Sequence, residues 1–397
     1  MLHLASRIVR SLLVTPPVVA PWQAAGWAIA LAAGLTSSGG CAHQVPGPAA
    51  PGANTVDVIA GGGTGGDGVP AVQAKLVEPF GVARAPNGDL FVVEHSAHRI
   101  RRIDAAGIIH AAAGTGEKAD GGDGGNGLQA RFNGPHHIAV APGGAGPAVL
   151  YIADTWNQRI RTLNLAGSPQ PDVVQTVVGN GTKGFAGDGG PANVATTGGI
   201  YCLAFDAKGR NLFFADLDNR RIRAVDLSTG VLRTVAGNGQ KGVPVDGADA
   251  TSQPLVDPRA VTVDGAGNVY IAERNGHALR VVDTAGKIRT VAGTGEKGFS
   301  GDGGPGLKAQ MNGPKHLGTD RDDTILIVDT ENHVIRRYDP RDGRITRAVG
   351  SGVKGAGGIG GPAEAVQMDR PHGVYLDGNG DLLLADSENH RVLRVRR

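Results

Sequence analysis

Five residues with reactive side chains stand 56 to 65 residues apart along the chain, at corresponding places in its sequence. They are His136, Tyr201, Arg259, Lys315 and His372. Imidazoles can ligate a metal or exchange protons, a phenol can donate a hydrogen bond, and guanidinium and ammonium groups attract anions. If the fold brings the five side chains together, they can bind a metal or an anion and can supply an acid and a base.

A second candidate is a glycine-rich loop. GTGEKG at 293–298 matches G-x-G-x-x-G, the pattern by which dinucleotide-binding proteins hold a pyrophosphate. Related segments begin at positions 61, 114, 179, 237 and 350, and none opens into an apolar helical pattern or carries the G-K-[ST] of a P-loop. A dinucleotide fingerprint would occur once, so we predict that these glycines supply positive φ angles in inter-strand loops.

The rest of the chain repeats with the loops. Each unit of about 57 residues contains four runs of alternating apolar and polar residues, which predict four antiparallel strands. This is the length of one β-propeller blade, and the pattern predicts an all-β, six-bladed propeller. The third strands of the six blades are marked by Ile100, Ile160, Ile222, Leu279, Ile335 and Val392.

The two ends of the repeat region are complementary. The third strand of the last blade runs to Arg397, and its fourth strand has no counterpart after it. NTVDVIAG at 54–61 matches the other fourth strands and precedes the first glycine loop. We therefore expect this N-terminal strand to complete the last blade and close the ring, which leaves no open sheet edge at the joint.

The strand and turn pattern PHGVYLDGNGDLLLADSENHRVLRV resembles an NHL repeat, and six copies cover residues 54–397. The long GTGEKGFSGDGGP insertions are similar to those of teneurin-type NHL domains and of bacterial NHL-repeat lipoproteins. The resemblance implies a propeller in which each first strand lines a central channel. On one face, the inter-blade loops and the turns between second and third strands form a funnel.

Two rings of residues follow from this register. The mouth ring, at the entrances of the inner strands, is Phe80, His136, Tyr201, Arg259, Lys315 and His372. The channel ring, one residue further along, is Gly81, His137, Cys202, Ala260, His316 and Gly373. Our candidates for binding at the funnel mouth are His136, His137, Trp156, Tyr201, Arg259, Lys315 and His372.

An enzyme is the alternative. The inner-strand pattern is similar to that of the peptidyl-α-hydroxyglycine lyase family, a six-bladed propeller in which histidines after prolines hold zinc beside a tyrosine and an arginine. The resemblance implies metal ligands at His136, His372 and His316, and catalytic roles for Tyr201, Arg259 and Lys315. The position of His316 argues against its being the third ligand. It lies one residue further along its strand than His136 and His372 do, so its side chain points to the other face. Lys315 also places a positive charge where the cation would bind.

The GDGG segments of five loops invite a calcium interpretation. They contain Asp67, Asp123, Asp188, Asp246 and Asp302. Calcium loops gather several oxygen ligands in one turn, whereas each of these loops brings one aspartate, so we predict turn-stabilising roles. Cys202 is predicted to be a small buried residue and not a nucleophile. We expect no cofactor in the binding module, and zinc or calcium in the alternative.

Residues 1–40 have the layout of a secretory signal, with Arg7 and Arg10 before an apolar stretch and small residues before Cys41. The pattern resembles a bacterial lipoprotein signal, which implies lipidation of Cys41, a tether over 41–53 and a propeller over 54–397. Lipidation predicts an exported, envelope protein that contacts the membrane only through its N-terminal lipid. An outer-membrane location is the preferred one.

Charge limits the partners. The whole chain carries a formal net charge of +2, and residues 1–40 contribute two arginines and no acidic residue, so the remainder is close to neutral. A nucleic-acid-binding protein normally carries a basic excess, so we exclude nucleic acid as the partner. Two functions remain open: a non-enzymatic binding or scaffold module for a protein, peptide or carbohydrate, and a metal-dependent lyase or lactonase-like hydrolase.

Overall fold

The computed structural model describes residues 54–142, 148–165 and 173–397. The predicted signal, the tether and Cys41 lie outside these residues. The described residues form strands β1 Val56–Gly61, β2 Pro79–Arg84, β3 Leu90–Glu94, β4 Arg99–Ile103, β5 Ile109–Ala113, β6 His137–Val140, β7 Ala148–Asp154, β8 Arg159–Leu165, β9 Val174–Val178, β10 Ile200–Phe205, β11 Asn211–Asp216, β12 Arg221–Asp226, β13 Leu232–Ala236, β14 Pro258–Val263, β15 Val269–Glu273, β16 Ala278–Val282, β17 Ile288–Ala292, β18 Gly304–Pro305, β19 His316–Thr319, β20 Ile325–Asp329, β21 Val334–Asp339, β22 Arg344–Val349, β23 Gly373–Leu376, β24 Leu382–Asp386 and β25 Arg391–Val395.

Helical structure in these residues is limited to single 3-10 turns. They are Ala71–Gln73, Gly127–Gln129, Thr155–Asn157, Ala192–Val194, Ala250–Ser252, Gly306–Lys308, Thr330–Asn332, Ala363–Ala365 and Ser387–Asn389. Six of these turns follow a glycine loop, and the other three lie between a second and a third strand. Across the described ranges, no helix has the length and apolarity needed to cross a membrane.

The strands form six antiparallel sheets, which confirms the six-bladed propeller. Blades 1 to 4 are β2 to β5, β6 to β9, β10 to β13 and β14 to β17, each in sequence order from the channel outward. Blade 5 is β19 to β22 with the short β18 added at its outer edge, and blade 6 is β23, β24, β25 and β1. The six predicted third-strand markers are all fully buried, which places the core between the blades.

Ring closure has the expected form. β1 pairs antiparallel with β25, with Val56 opposite Val395 and Gly61 opposite Arg391. Val56 is fully buried, and the carboxylate of Asp57 bonds the guanidinium groups of Arg394 and Arg396. The N-terminal strand is therefore the outermost strand of blade 6.

The glycine loops have the predicted backbone. Gly293 has a φ of +94°, and a Cβ at this position would overlap the carbonyl oxygen of His277. A residue with a side chain could not make this close approach. The described loops lead into 3-10 turns and contain no α-helix, so they lack the helix N-terminus that a dinucleotide site uses.

Candidate functional site at the mouth of the channel

The mouth ring is assembled as predicted from register. Ring centroids are 3.9 Å apart for His372 and Phe80, 5.3 Å for Phe80 and His136, and 4.4 Å for His136 and Tyr201. The Arg259 guanidinium carbon lies 5.2 Å from the centre of the Tyr201 ring. Lys315 and His372 are also in contact, since Nζ lies 3.3 Å from Nε2. Among the described residues, no hydrogen bond or ring contact joins Arg259 to Lys315, and the circle is open there.

Local backbone structure holds the two mouth histidines in one orientation. His136 Nδ1 lies 2.8 Å from the carbonyl oxygen of Gly134, and His372 Nδ1 lies 2.8 Å from that of Arg370. A carbonyl oxygen only accepts, so Nδ1 carries the hydrogen in both rings and Nε2 has a lone pair. Burial, reinforced by nearby positive charges, holds the pKa of both imidazoles well below the usual value, so both are neutral at pH 7.

Positive charge concentrates on one side of the mouth. Lys315 is 5% exposed, and burial lowers its pKa to about 8 although Glu331 Oε1, 2.8 Å from Nζ, acts in the opposite direction. Glu331 also accepts from Arg370 at 3.0 Å. Burial opposes its ionisation, but the bonds from Arg370 and Lys315 lower its pKa to about 2.

Arg370 itself occupies a strained backbone position. In five of the six blades, the residue two places before the mouth-ring residue has a positive φ. It is a glycine in three of these five blades. Arg370, at +47°, and Glu78, at +43°, carry side chains there. Non-glycine residues in this conformation are uncommon and concentrate at functional sites. Both put a charged group at the mouth.

Arg274 completes the cationic side. It directly follows Glu273, at the start of the turn after β15, and its Cγ lies 3.9 Å from a Cβ built on Gly313, beside the inner-strand entrance of blade 5. Burial raises the pKa of Tyr201 to about 12, and the positive charge of Arg274 acts in the opposite direction. Burial lowers the pKa of Lys315, and Arg274 lowers it further. No hydrogen bond or ion pair connects its guanidinium to the part of the chain that the structure describes.

The opposite side of the mouth is aromatic. Phe80 stacks between His95 and His372, with centroid separations of 4.4 and 3.9 Å. Trp156 packs edge-on against His136 at 5.7 Å and is 42% exposed. The mouth is thus divided into an aromatic side and a cationic side, which the near-identity of the repeats did not predict.

The predicted metal ligands do not form one group. His316 lies in the channel ring, where its Nε2 is 2.7 Å from Nε2 of His137, so it does not join His136 and His372. The one-residue shift puts it on the channel side of Lys315, as the strand periodicity requires. His137, one of the binding candidates for the funnel mouth, lies in the channel ring, as its register position predicts. Within the described residues, the ligand atoms of His137, Cys202 and His316 lie within 4.8 Å of one another.

This channel trio has unfavourable tautomers for a metal. The backbone N–H of Leu203 donates to His137 Nδ1 at 3.1 Å, and that of Val374 donates to His316 Nδ1 at 3.4 Å. Each of these backbone donors favours a hydrogen on Nε2, the atom that would bind the ion, whereas metal-bound histidines usually donate from the other nitrogen. The 2.7 Å contact between the two Nε2 atoms leaves room for a hydrogen on only one of them, so the other is a hydrogen-bond acceptor. Burial also raises the pKa of the Cys202 thiol to about 12, so the thiolate is disfavoured. Beyond the trio, a cavity of about 260 Å³ continues along the channel.

The GDGG aspartates bond to their own blades. In four blades one carboxylate oxygen pairs with a buried arginine of the third strand at 2.6 to 2.8 Å. The pairs are Asp67 with Arg101, Asp123 with Arg161, Asp188 with Arg223 and Asp302 with Arg336. Asp246 instead accepts from the backbone N–H of Thr290 at 2.7 Å. The aspartates therefore stabilise their loops through ion pairs to the third strand in four blades and through a backbone hydrogen bond in blade 4.

Comparison with known proteins supports the repeat assignment. The family model for the NHL repeat matches residues 368–394, which span the inner-strand entrance, β23, β24 and most of β25. The chain is a six-bladed propeller whose last blade matches the NHL repeat. We call it the NHL propeller below, and its mouth ring includes His372 from the matched repeat.

The NHL propeller is similar to parts of larger proteins. It is 27% identical over 273 residues to Protein SUPPRESSOR OF QUENCHING 1, chloroplastic, of Arabidopsis thaliana, covering 66% of this chain and 25% of that protein. It is 28% identical to human NHL repeat-containing protein 2, covering 67% of this chain and 39% of that protein. Mouse Teneurin-4 is 27% identical over 49% of this chain and 8% of its own length. The chain thus spans well under half of these relatives.

Solved structures share the fold of the NHL propeller. A protein of unknown function from Bacteroides thetaiotaomicron superposes with a TM-score of 0.63 at 17% identity, covering 86% of this chain and 75% of that one. An auxiliary nutrient binding protein from Bacteroides ovatus gives a TM-score of 0.61 at 15% identity, covering 86% and 76%. At these identities the likeness concerns the fold alone.

Sequence reasoning missed three charged residues of the NHL propeller's mouth: Arg274, Glu331 and Arg370. An alignment of the inner-strand entrances alone does not include these three residues. Aligning the two residues after each second-strand acid would have found Arg274 and Glu331, and aligning the residue two places before the mouth ring would have found Arg370.

Proposed function

We propose that this NHL propeller is a non-enzymatic binding module whose mouth holds a protein, peptide or carbohydrate ligand. The observation that carries the proposal is unused hydrogen-bonding capacity at the mouth. Tyr201 is 5% exposed, yet its hydroxyl makes no hydrogen bond with the described residues. His136 Nε2 and the Arg274 guanidinium are also without partners in those residues. None of these atoms is fully buried, so all three groups can reach a molecule at the mouth, and ligand sites commonly present a few such convergent polar groups.

Exposed aromatic surface adds to the proposal. Trp156 presents an indole at the rim of the same mouth, and tryptophan combines a large apolar area with a hydrogen-bond donor. Ligand sites commonly combine such walls with a few convergent polar groups. Nucleic acid is not part of the proposal, because the chain lacks a basic excess.

A thermal-shift screen of short peptides, oligosaccharides and organic acids tests the proposal. A ligand that binds only the folded state raises the melting temperature, and the stabilisation grows with the logarithm of the ligand concentration relative to Kd. We expect that compounds stabilising the wild type lose their effect in Tyr201→Phe and Trp156→Ala, and keep it in Phe185→Ala. Phe185 is the matched control, since it is an aromatic residue of similar exposure, 43%, in a glycine loop. Stabilisation that persists in both mouth variants would contradict the proposal.

A metal-dependent lyase or lactonase-like hydrolase is the second candidate. It is favoured by the mouth histidines, because both donate Nδ1–H to a backbone carbonyl and leave Nε2 available, as metal-bound histidines do. In that function His136 and His372 would hold zinc or calcium, and Tyr201, Arg259 and Lys315 would act on the substrate. Lys315 opposes it, since its ammonium lies 3.3 Å from Nε2 of His372.

Elemental analysis of the purified protein separates the two candidates. Stoichiometric zinc or calcium that is lost in His136→Ala and in His372→Ala would favour the enzyme. His110→Ala is the control, because this histidine lies in β5, the outer strand of blade 1, and bonds Asp104. A metal content that is unchanged by the mouth variants favours the binding module.

Export and lipid anchoring are part of the same proposal. The layout of residues 1–41 supports cleavage before Cys41, lipidation of its thiol and attachment to the cell envelope, with the outer membrane preferred. Metabolic labelling with radioactive palmitate tests it. We expect label in the wild type and none in Cys41→Ser, and equal labelling of the two proteins would contradict the anchor.

A further inference from the structure

Two like charges occupy neighbouring positions of the mouth ring. Arg259 and Lys315 are its members in blades 4 and 5, and each lowers the pKa of His136. Two cations at a partly dehydrated site repel each other more strongly than in bulk water, because the effective dielectric constant is lower there. The Glu331 carboxylate pairs with the ammonium of Lys315, but it also accepts a hydrogen bond from Arg370.

The balance of charge on this side is positive. The cations are Arg259, Arg274, Lys315 and Arg370. The carboxylates that bond them are Asp257, Glu331 and Glu388. Asp257 is shared, since one oxygen pairs with Arg259 Nε at 3.2 Å and the other accepts from Asn275 at 2.7 Å. Arg274 is the one cation of this set without a bonded carboxylate.

The unused donors lie on the same side. Arg274 lies at the blade 5 entrance, where its Cγ and the Cγ of Glu331, the partner of Lys315, lie 3.9 and 3.0 Å from a Cβ built on Gly313. The Tyr201 ring contacts Arg259 and has a free hydroxyl. A guanidinium fork matches the two oxygens of a carboxylate, and a phenol can donate to one of them.

We propose that the opening between Arg259 and Lys315 binds the carboxylate of a ligand, with Arg274 and Tyr201 as its main donors and the Trp156 side of the mouth against an adjoining aromatic or apolar group. The proposal rests on the proposed function and names its ligand class. A carboxylate carries one negative charge, which matches the one cation of the set that lacks a carboxylate partner. A phosphate monoester carries nearly two, which exceeds the charge of that one cation.

Isothermal titration with N-acetyl-L-phenylalanine tests the carboxylate, with N-acetyl-L-phenylalanine amide as the neutral probe. At pH 7 we expect the acid to bind the full-length protein about tenfold more tightly than the amide, as for hydrogen bonds to a charged acceptor. Arg274→Gln should remove this preference. Arg289→Gln should retain it, because Arg289 lies in β17 of the same blade, is exposed and also lacks a bonded partner among the described residues.

The outcomes separate this inference from the proposed function. Equal binding of acid and amide, weakened alike by Trp156→Ala, would overturn the carboxylate site and leave a ligand site at the mouth. An acid preference that survives Arg274→Gln would overturn the role of Arg274. Inorganic phosphate that displaces the acid at equal concentration would replace the carboxylate with a phosphate. Absence of binding by either probe would contradict the carboxylate site, while the broader ligand screen still decides the proposed function. Circular dichroism of each variant checks that the fold is retained.

Discussion

Nδ1 of His98 in blade 1 accepts a hydrogen bond from the backbone N–H of Gly134 in blade 2, at 3.1 Å. The same bond recurs at three other blade junctions, at 3.0 to 3.2 Å. The donors and acceptors are Gly313 with His277, Arg370 with His333 and Glu78 with His390. All four histidines follow the turn after a second strand and have a positive φ. These inter-blade imidazole bonds hold the residues that lead into the mouth ring.

Protonation should weaken the inter-blade imidazole bonds. Burial lowers the pKa of His277 in the folded protein, whereas the unfolded value is about 6.5. A depressed folded pKa contributes stability that is present above pH 6.5 and is lost as pH falls through the folded pKa. We expect His277→Asn, which tolerates the left-handed backbone, to cost about 1 kcal/mol at pH 7.5. Urea unfolding at pH 7.5 and pH 5 should show this difference shrinking at the lower pH.

Gln158 is the control for that experiment. It occupies the same left-handed position in blade 2 but cannot titrate. The stability difference between wild type and Gln158→Asn should be the same at both pH values. If the His277→Asn difference were also independent of pH, the bond from Gly313 would not depend on a neutral imidazole.

Removal of the closing strand should destabilise the ring. An internal deletion of residues 54–61 leaves blade 6 with three strands and exposes the edge of β25. Val56→Ala, a milder change at a fully buried position, should cost roughly 1 to 3 kcal/mol. Calorimetry measures both effects, with the exposed Val72→Ala as the control. Melting of the deletion protein at the wild-type temperature would show that the two ends do not stabilise one another.

Arg161 should be a major stabilising residue of blade 2. It is fully buried and bonds Asp123, Asp154 and two backbone carbonyls. Arg161→Met leaves Asp154 buried without its cation, and we expect a loss of about 3 kcal/mol or more in urea unfolding. Asp123→Ala, which removes the more exposed partner, should cost less.

Calcium should not change the melting temperature of the wild type, and a calcium-dependent rise that Asp123→Ala abolishes would restore the calcium interpretation.

Ligand binding at the mouth should depend on the charge of Lys315. Its pKa is about 8, so the ammonium is lost as pH rises through that value, and affinity for N-acetyl-L-phenylalanine should fall between pH 7 and pH 9. Glu331 raises this pKa, so Glu331→Gln should move the midpoint to a lower pH. Titration calorimetry across this range measures both midpoints. A midpoint that does not move in Glu331→Gln would exclude Lys315 as the titrating group.

Periodicity predicted most of the fold. The blade count, the third-strand markers, the closure by β1 and the members of the mouth ring all follow from a register that repeats in every unit. The period-two rule also explained why His316 separates from Lys315. Register also placed His137 and His316 in one ring, although they are 179 positions apart. Local sequence did not reveal the bond between Asp123 and Arg161, which are 38 positions apart. The division of the mouth into aromatic and cationic sides was missed for another reason. It depends on single residues, such as Arg274 and Arg370, in turns that are otherwise alike.

A crystal structure of the protein with the strongest stabiliser from the ligand screen tests the central claim most directly. The account predicts that the ligand lies at the mouth, in contact with Tyr201 and within hydrogen-bonding distance of Arg259 or Arg274. A ligand bound in the channel beyond His137 and His316, or on the glycine loops at the perimeter, with an unoccupied mouth, would contradict it.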